Sequence, residues 1–123
     1  MQKRSKNYPR RGEIYIADLS PAFGREIHKK RPILIISSDI LNQNSPTVIM
    51  LPLSSILPQY IGPDEVKIPK TTGLDKDSVI LISQIRAIDK DRFIKKVGPI
   101  TADKLFEVED ALKLVLGMIP LDN

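Results

Sequence analysis

The chain contains no cysteine and a single histidine in 123 residues. Without a thiol there is no disulfide framework, no thiolate metal site and no cysteine nucleophile. With one imidazole, most zinc constellations and any acid–base pair of histidines are excluded as well. Long apolar runs are missing too. Stretches such as "ILII" and "VIML" fall far short of the roughly 18 residues that span a bilayer, and the opening "MQKRSKNYPRR" lacks the apolar segment of a secretory signal. These absences predict a cytoplasmic protein with no membrane association, no metal and no cofactor. There is also no internal repeat and no low-complexity segment. What is present, 41% hydrophobic residues, suffices for one ordinary core in a chain too short for two domains.

The net charge of +4 is unevenly placed. Lys3, Arg4, Lys6, Arg10 and Arg11 put five cations and no acid into residues 1–11, leaving 14 bases against 15 acids in the rest. The division predicts a flexible basic arm over residues 1–10 and a nearly neutral folded body over 11–123. Such an arm either adds salt-sensitive, sequence-blind phosphate binding or merely keeps the terminus soluble. A second cluster, Arg25, His28, Lys29, Lys30 and Arg31 with Glu26 opposing, falls inside the body. From Thr101 onward the balance reverses, with five acids against two lysines.

Short strands dominate the pattern. "EIYIADL" is followed by the turn-forming "SPAFG", and "RPILIIS" and "TVIMLPLS" are apolar enough for central strands with both faces covered. Pro52 predicts an edge or bulge in the second of these. "EVKI" makes a short strand, "TTGLDKD" a turn, "SVILISQIRAI" the longest strand and "RFIKKVGPI" one more. The period then changes: Leu105, Val108, Leu112, Val115 and Ile119 recur at spacings of three and four behind Thr101 and Asp103, which suit a helix N-terminus. Five to six strands and one amphipathic helix predict a mainly β fold, a small bent sheet or barrel with the helix packed on it.

Within "HKKRPILIIS", Arg31 stands at the mouth of a buried strand, fixed from behind by Pro32. A guanidinium held there keeps its charge and grips two oxygens of a phosphate at once. Spacing alone is equally compatible with a surface arginine that only flanks a strand.

The blocks "RRGEIYIADLSPAFGREIHKKRPILIIS", "SPTVIMLPLSS" and "GLDKDSVILISQIRAIDKDRF", followed by the terminal helix, resemble the MazF/PemK family of toxin endoribonucleases in content and order. The resemblance covers nearly everything after residue 10. It implies an SH3-like barrel of the CcdB/PemK type with a C-terminal helix, assembled as a homodimer, that cuts single-stranded RNA (mRNA) at short motifs without a metal. It also implies an antitoxin partner whose flexible acidic segment covers the RNA site. Arg31 falls on the family's catalytic arginine and Ser54 on a position normally held by threonine, with Ser55 adjacent as a substitute. Serine keeps the hydroxyl and loses the methyl that restrains it; turn capping is the alternative use of this serine pair.

Further residues follow from the same resemblance. Glu26 matches a glutamate of the loop before the arginine, where Arg25 replaces a small residue. Gln84 and Arg86 match the "QIR" block, with Ser83 where glutamate is frequent. His28, Lys30, Arg25, Glu26, Gln84 and Arg86 are therefore the expected RNA-binding residues, although Gln84 suits a structural amide as well as base reading. The cations beside His28 disfavour its protonated form and argue against a direct acid role. Tyr15, Phe23 and Tyr60 are the aromatics placed to stack on bases, core packing being the alternative. Two rival functions use the same kind of barrel: a CcdB-like toxin that poisons a topoisomerase, and a non-catalytic RNA- or protein-binding module.

Overall fold

The structure, a computed structural model, describes residues 7–20, 29–70 and 73–119. Its elements are β1 (Glu13–Asp18), β2 (Lys30–Ile35), α1 (Asp39–Asn44), β3 (Thr47–Ser54), β4 (Glu65–Ile68), β5 (Ser78–Leu81), β6 (Arg86–Asp89), β7 (Phe93–Pro99) and α2 (Ala102–Val115). Every pairing is antiparallel. The strands form one seven-stranded sheet in the order β4-β5-β3-β2-β1-β7, with β6 also on β3. The path has two ends, β4 and β7, and α2 packs against β4 and the turn that follows β5. This is the mainly β, barrel-like architecture with a C-terminal helix that the pattern predicts, built on an unclosed sheet.

Two-residue alternation sorts the side chains of β1 to β3 into two cores. On the inner face, under α2, Ile14, Leu34, Leu51 and Leu53 pack with Ile68, Ile80, Ile82 and Val108. On the outer face Ala17, Ile33, Ile35, Val48 and Met50 pack with Ile88, bordered by Tyr15 and Phe93, whose rings stack at 4.9 Å. Strands covered on both sides need apolar residues at consecutive positions, which is why "PILI" and "VIML" show no polar alternation. Each large side chain so buried contributes about 1.5–3 kcal/mol.

Three elements differ from expectation. The stretch "SVILISQIRAI" is not one strand: β5 and β6 are separated by a 3-10 turn over Ile82–Gln84. Pro52 supplies the reason. The Ile49 carbonyl accepts from the Ile36 N–H on the β2 side, so alternation directs the backbone of Pro52 to the opposite edge of β3. There, pairing with β6 ends at Met50 and pairing with β5 starts at Leu53. A residue without an N–H thus sits in a central strand, at the break in its partner rather than at a sheet edge or bulge.

The second difference is α1, a six-residue helix between β2 and β3 where the sequence pattern predicts no element. Ser38 caps it by accepting the Leu41 N–H, and Asn42 is fully buried between Ser37 contacts. Third, α2 ends at Val115 ahead of Gly117, whose φ of 70° suits a residue without a Cβ. Ile119 therefore lies past the helix and is exposed.

The segment before β1 is tied to α1, β2 and α2. The Arg11 N–H donates to Asp39 at 2.7 Å, its Nε donates to the Ile36 carbonyl at 3.0 Å, and its guanidinium pairs with Glu109 of α2 at 2.7 Å. Ahead of it Pro9 is buried, and Arg10 lies 4.5 Å over the Tyr8 ring while its N–H donates to Glu13. Residues 1–6 of the expected arm lie outside the described residues.

Candidate active site

The register of β2 on β3 pairs Ile35 with Met50, Leu34 with Leu51 and Ile33 with Pro52. Carried two residues further, the same register sets Arg31 across from Ser54. Alternation keeps the pair on one face, that of Ile33 and Met50, at the open end of the two strands. Arg31 is half-buried, and its backbone is paired to Ala17 of β1. Ser54 is 7% exposed, and its hydroxyl accepts the Ile56 N–H at 3.1 Å. That bond is the turn-capping use of a serine at a strand end; it occupies a lone pair and leaves the hydroxyl proton to donate. Ser55, by contrast, is exposed.

A cavity of about 360 Å³ opens beside them. Its wall includes Lys30, Arg31, Ser55, Lys76, Ser78 and Lys95, with Asp75 as its one carboxylate among the described residues. Its floor is Ile16, Pro32, Leu74 and Val97. Four cations against one acid make the cavity an anion site by charge alone.

The loop that joins β1 to β2 is fixed at its base. The Leu19 N–H donates to the Lys29 carbonyl at 2.9 Å, and the Arg92 guanidinium donates to the carbonyls of Asp18, at 3.1 Å, and Ser20. Lys29 has a φ of 71°, a left-handed conformation uncommon for a side chain of this kind, two residues before Arg31. The Ser20 N–H bond holds the Asp18 carboxyl below the usual carboxylate range, with smaller help from Arg92 and Lys30. Arg25, Glu26, His28 and Phe23 belong to the segment 21–28, which lies outside the described residues.

The other expected residues are spread along β3. Lys30 is exposed and lines the cavity. Gln84 is half-buried in the 3-10 turn, and Arg86 is half-buried on β6 opposite Met50. That pairing puts Arg86 about 13 Å along the strand from Ser54, at roughly 3.3 Å per residue. Tyr15 is in the outer core border, where burial foremost and the Glu13 carboxylate next raise its pKa; Tyr60 is 81% exposed on the loop after β3. Among the described residues no three His, Cys, Asp or Glu side chains are grouped to hold a metal ion. Sequence reading missed Lys76 and Lys95 altogether. Lys76 lies in a quoted block without an assigned role and Lys95 lies in none, and only the folded topology carries them to the strand end where Arg31 lies.

Comparison with known proteins identifies the fold and the family. The family model described as PemK-like, MazF-like toxin of type II toxin-antitoxin system matches residues 10–116. The "Endoribonuclease MazF" of Staphylococcus epidermidis is 43% identical over 115 residues, 93% of this chain and 96% of that protein. The crystal structure of MazF from Deinococcus radiodurans superposes with a TM-score of 0.81 at 28% identity, covering 92% of this chain and 100% of that one. A MazE–MazF structure from the same organism gives a TM-score of 0.74 at 28% identity, covering 90% and 97%.

Proposed function

Because this chain belongs to the PemK-like, MazF-like toxin family of type II toxin-antitoxin systems, we propose that it is a toxin that cuts single-stranded RNA at short sequence motifs, without a metal, in the cytoplasm. The observation that carries the reading is the strand-end pair: an arginine paired to β1 and, with the β2–β3 register continued, across from a serine hydroxyl, beside a cationic cavity.

The chemistry follows from these groups. The ribose 2′-hydroxyl attacks the adjacent phosphorus, a cyclic phosphodiester forms, and the bond to the 5′-oxygen breaks with a proton delivered to that oxygen. Arg31 takes the two non-bridging oxygens as negative charge builds on them in the pentacovalent state. Ser54 donates its remaining proton toward the same phosphoryl group, and Lys30 adds positive potential. Gln84, Arg86 and Tyr60, together with Arg25, Glu26 and His28 of the preceding loop, bind the flanking nucleotides and set the motif. The protein works as a homodimer, and its antitoxin, similar to the MazE found with MazF in Deinococcus radiodurans, inhibits it by occupying the RNA site.

The test is incubation of the purified protein with labelled single-stranded RNA in excess EDTA, beside the same RNA carrying deoxyribose immediately before the mapped cut. Cleavage of the first and survival of the second is expected. Cutting of the deoxy-substituted strand would show that water, not the 2′-hydroxyl, is the nucleophile.

A further inference from the structure

Lys95 and Lys96 are neighbours on β7 with opposite fates. Lys96 lies opposite Tyr15 and pairs with the buried Glu13 carboxylate at 2.6 Å; that hydrogen bond first, and the charge of Glu13 next, raise its pKa. Lys95 lies opposite Ile16, which is itself opposite Pro32, and it lines the basic cavity. The row Pro32, Ile16, Lys95 crosses three strands, so Lys95 stands about 10 Å from the β2 end at roughly 4.8 Å per strand. Alternation places this row on the inner face and Arg31 on the outer one. The cavity opens at the strand ends, where it also takes in Arg31.

The third wall is the loop between β4 and β5. Leu74 is buried in the inner core, the Lys70 N–H donates to Asp77 at 2.9 Å, and the Ser78 hydroxyl donates to the Lys76 carbonyl at 3.1 Å. The backbone that presents Lys76 is thus anchored at both ends. Lys30, Lys76 and Lys95 make no salt bridge among the described residues, although Asp75 shares the cavity wall. A 360 Å³ cavity is within the range of about 300–1,000 Å³ usual for small-molecule sites. It admits a phosphate with part of its sugar, and Lys95 faces it from the inner side of the sheet, whereas the register places Arg31 and Ser54 on the outer one.

We propose that this cavity is a second phosphate subsite, in which Lys95 and Lys76 hold the backbone of the RNA strand at a phosphate neighbouring the one that is cut. The proposal rests on the endoribonuclease reading and deepens it. Both lysines are binding residues: they fix the strand's path over the β2 end and do not act on the reacting phosphorus. Their loss weakens binding and lowers its salt dependence, and leaves the rate of the bound complex unchanged.

The experiment measures binding of a deoxy-blocked, uncleavable RNA oligonucleotide against salt concentration, and single-turnover cleavage at saturating RNA. It uses the wild type, Lys95→Gln, Lys76→Gln, the double variant, and Lys113→Gln on α2 as a control for general charge loss. The log–log salt slope should fall by about 0.7 in the double variant, the single-strand value for one phosphate contact, and by part of that in each single variant, with the saturated rate retained. Lys113→Gln should leave both readouts near wild type. An RNA with one neutral methylphosphonate next to the cut should reproduce the loss at a single position and add nothing to it in the double variant. Slopes unchanged in both cavity variants, or a loss equal to that of Lys113→Gln, overturn the subsite while wild-type cleavage still upholds the nuclease. A wild type that cuts no RNA overturns the reading beneath it.

Discussion

The pair formed by β2 and β3 has two polar ends that serve opposite purposes. At one, Ser37 and Asn42 are buried and bonded to each other, and the Ser37 hydroxyl accepts the Ile49 N–H at 3.0 Å. At the other, Ser54 is as buried as Ser37, yet it stands across from a half-buried arginine and beside a cavity carrying four cations. The Ser37 end is saturated: its hydrogen bonds hold α1 on the sheet. The Ser54 end keeps a hydroxyl proton to donate and gathers positive charge around it. Under the proposed function, then, burial does not separate a structural serine from a chemical one; the partners of the hydroxyl do.

The strongest way to break this contrast is Arg31→Ala. Cleavage should fall by about 10²- to 10³-fold, as for removal of one transition-state donor, while the melting temperature stays at the wild-type value. Arg31→Lys should recover little, since an ammonium makes no two-pronged contact. A folded Arg31→Ala protein with normal activity would move the active site elsewhere.

The Ser37 end should give the mirror image. Asn42→Ala leaves the Ser37 hydroxyl and carbonyl without their buried partner and should cost about 1–3 kcal/mol of stability, read as a lower urea midpoint. Its cleavage rate at a temperature where it is fully folded should match wild type. A third comparison separates the adjacent serines. Ser54→Ala should slow cleavage by about tenfold, the worth of one hydrogen bond near 1.4 kcal/mol, Ser54→Thr should keep most of the rate, and Ser55→Ala should change little. The reverse order would assign the chemistry to Ser55.

The smallest effect sharpens the contrast at the backbone. Lys29 at a φ of 71° sits in a region that costs a side-chain-bearing residue roughly 1–2 kcal/mol, part of which a glycine would lose again through its greater freedom when unfolded. Lys29→Gly should raise stability by up to about 1 kcal/mol, measured by chemical denaturation. A loss of stability would show that the strain is illusory or that the lysine side chain carries a contact of its own.

Much of this architecture was legible in the residues. Ile, Val and Leu runs bounded by Pro, Gly and Asn marked most strands, and the three-four spacing of Leu105, Val108, Leu112 and Val115 marked α2. What escaped depended on the neighbours a residue meets after folding. The break between β5 and β6 follows from Pro52, some 30 residues earlier in the chain, so no local window around "SVILISQIRAI" contains it. The helix α1 is too short to be stable by propensity and exists because Asn42 finds Ser37. At the site, Arg31 and Ser54 were within reach because a motif flagged them, and their facing each other is a matter of register. Lys76, inside a quoted block but with no role assigned, and Lys95, outside every block, share their cavity through topology alone.

The pairing of β1 with β7 bears on how the protein is made. β1 obtains its second neighbour only from β7, the Gly12 carbonyl is capped by the Ile100 N–H, and Arg11 meets Glu109. A ribosome adds about 5–20 residues each second, so the first strand waits several seconds for the segment that completes it. Until β7 has been made β1 keeps an open edge, and a product truncated before β7 would keep that edge for good.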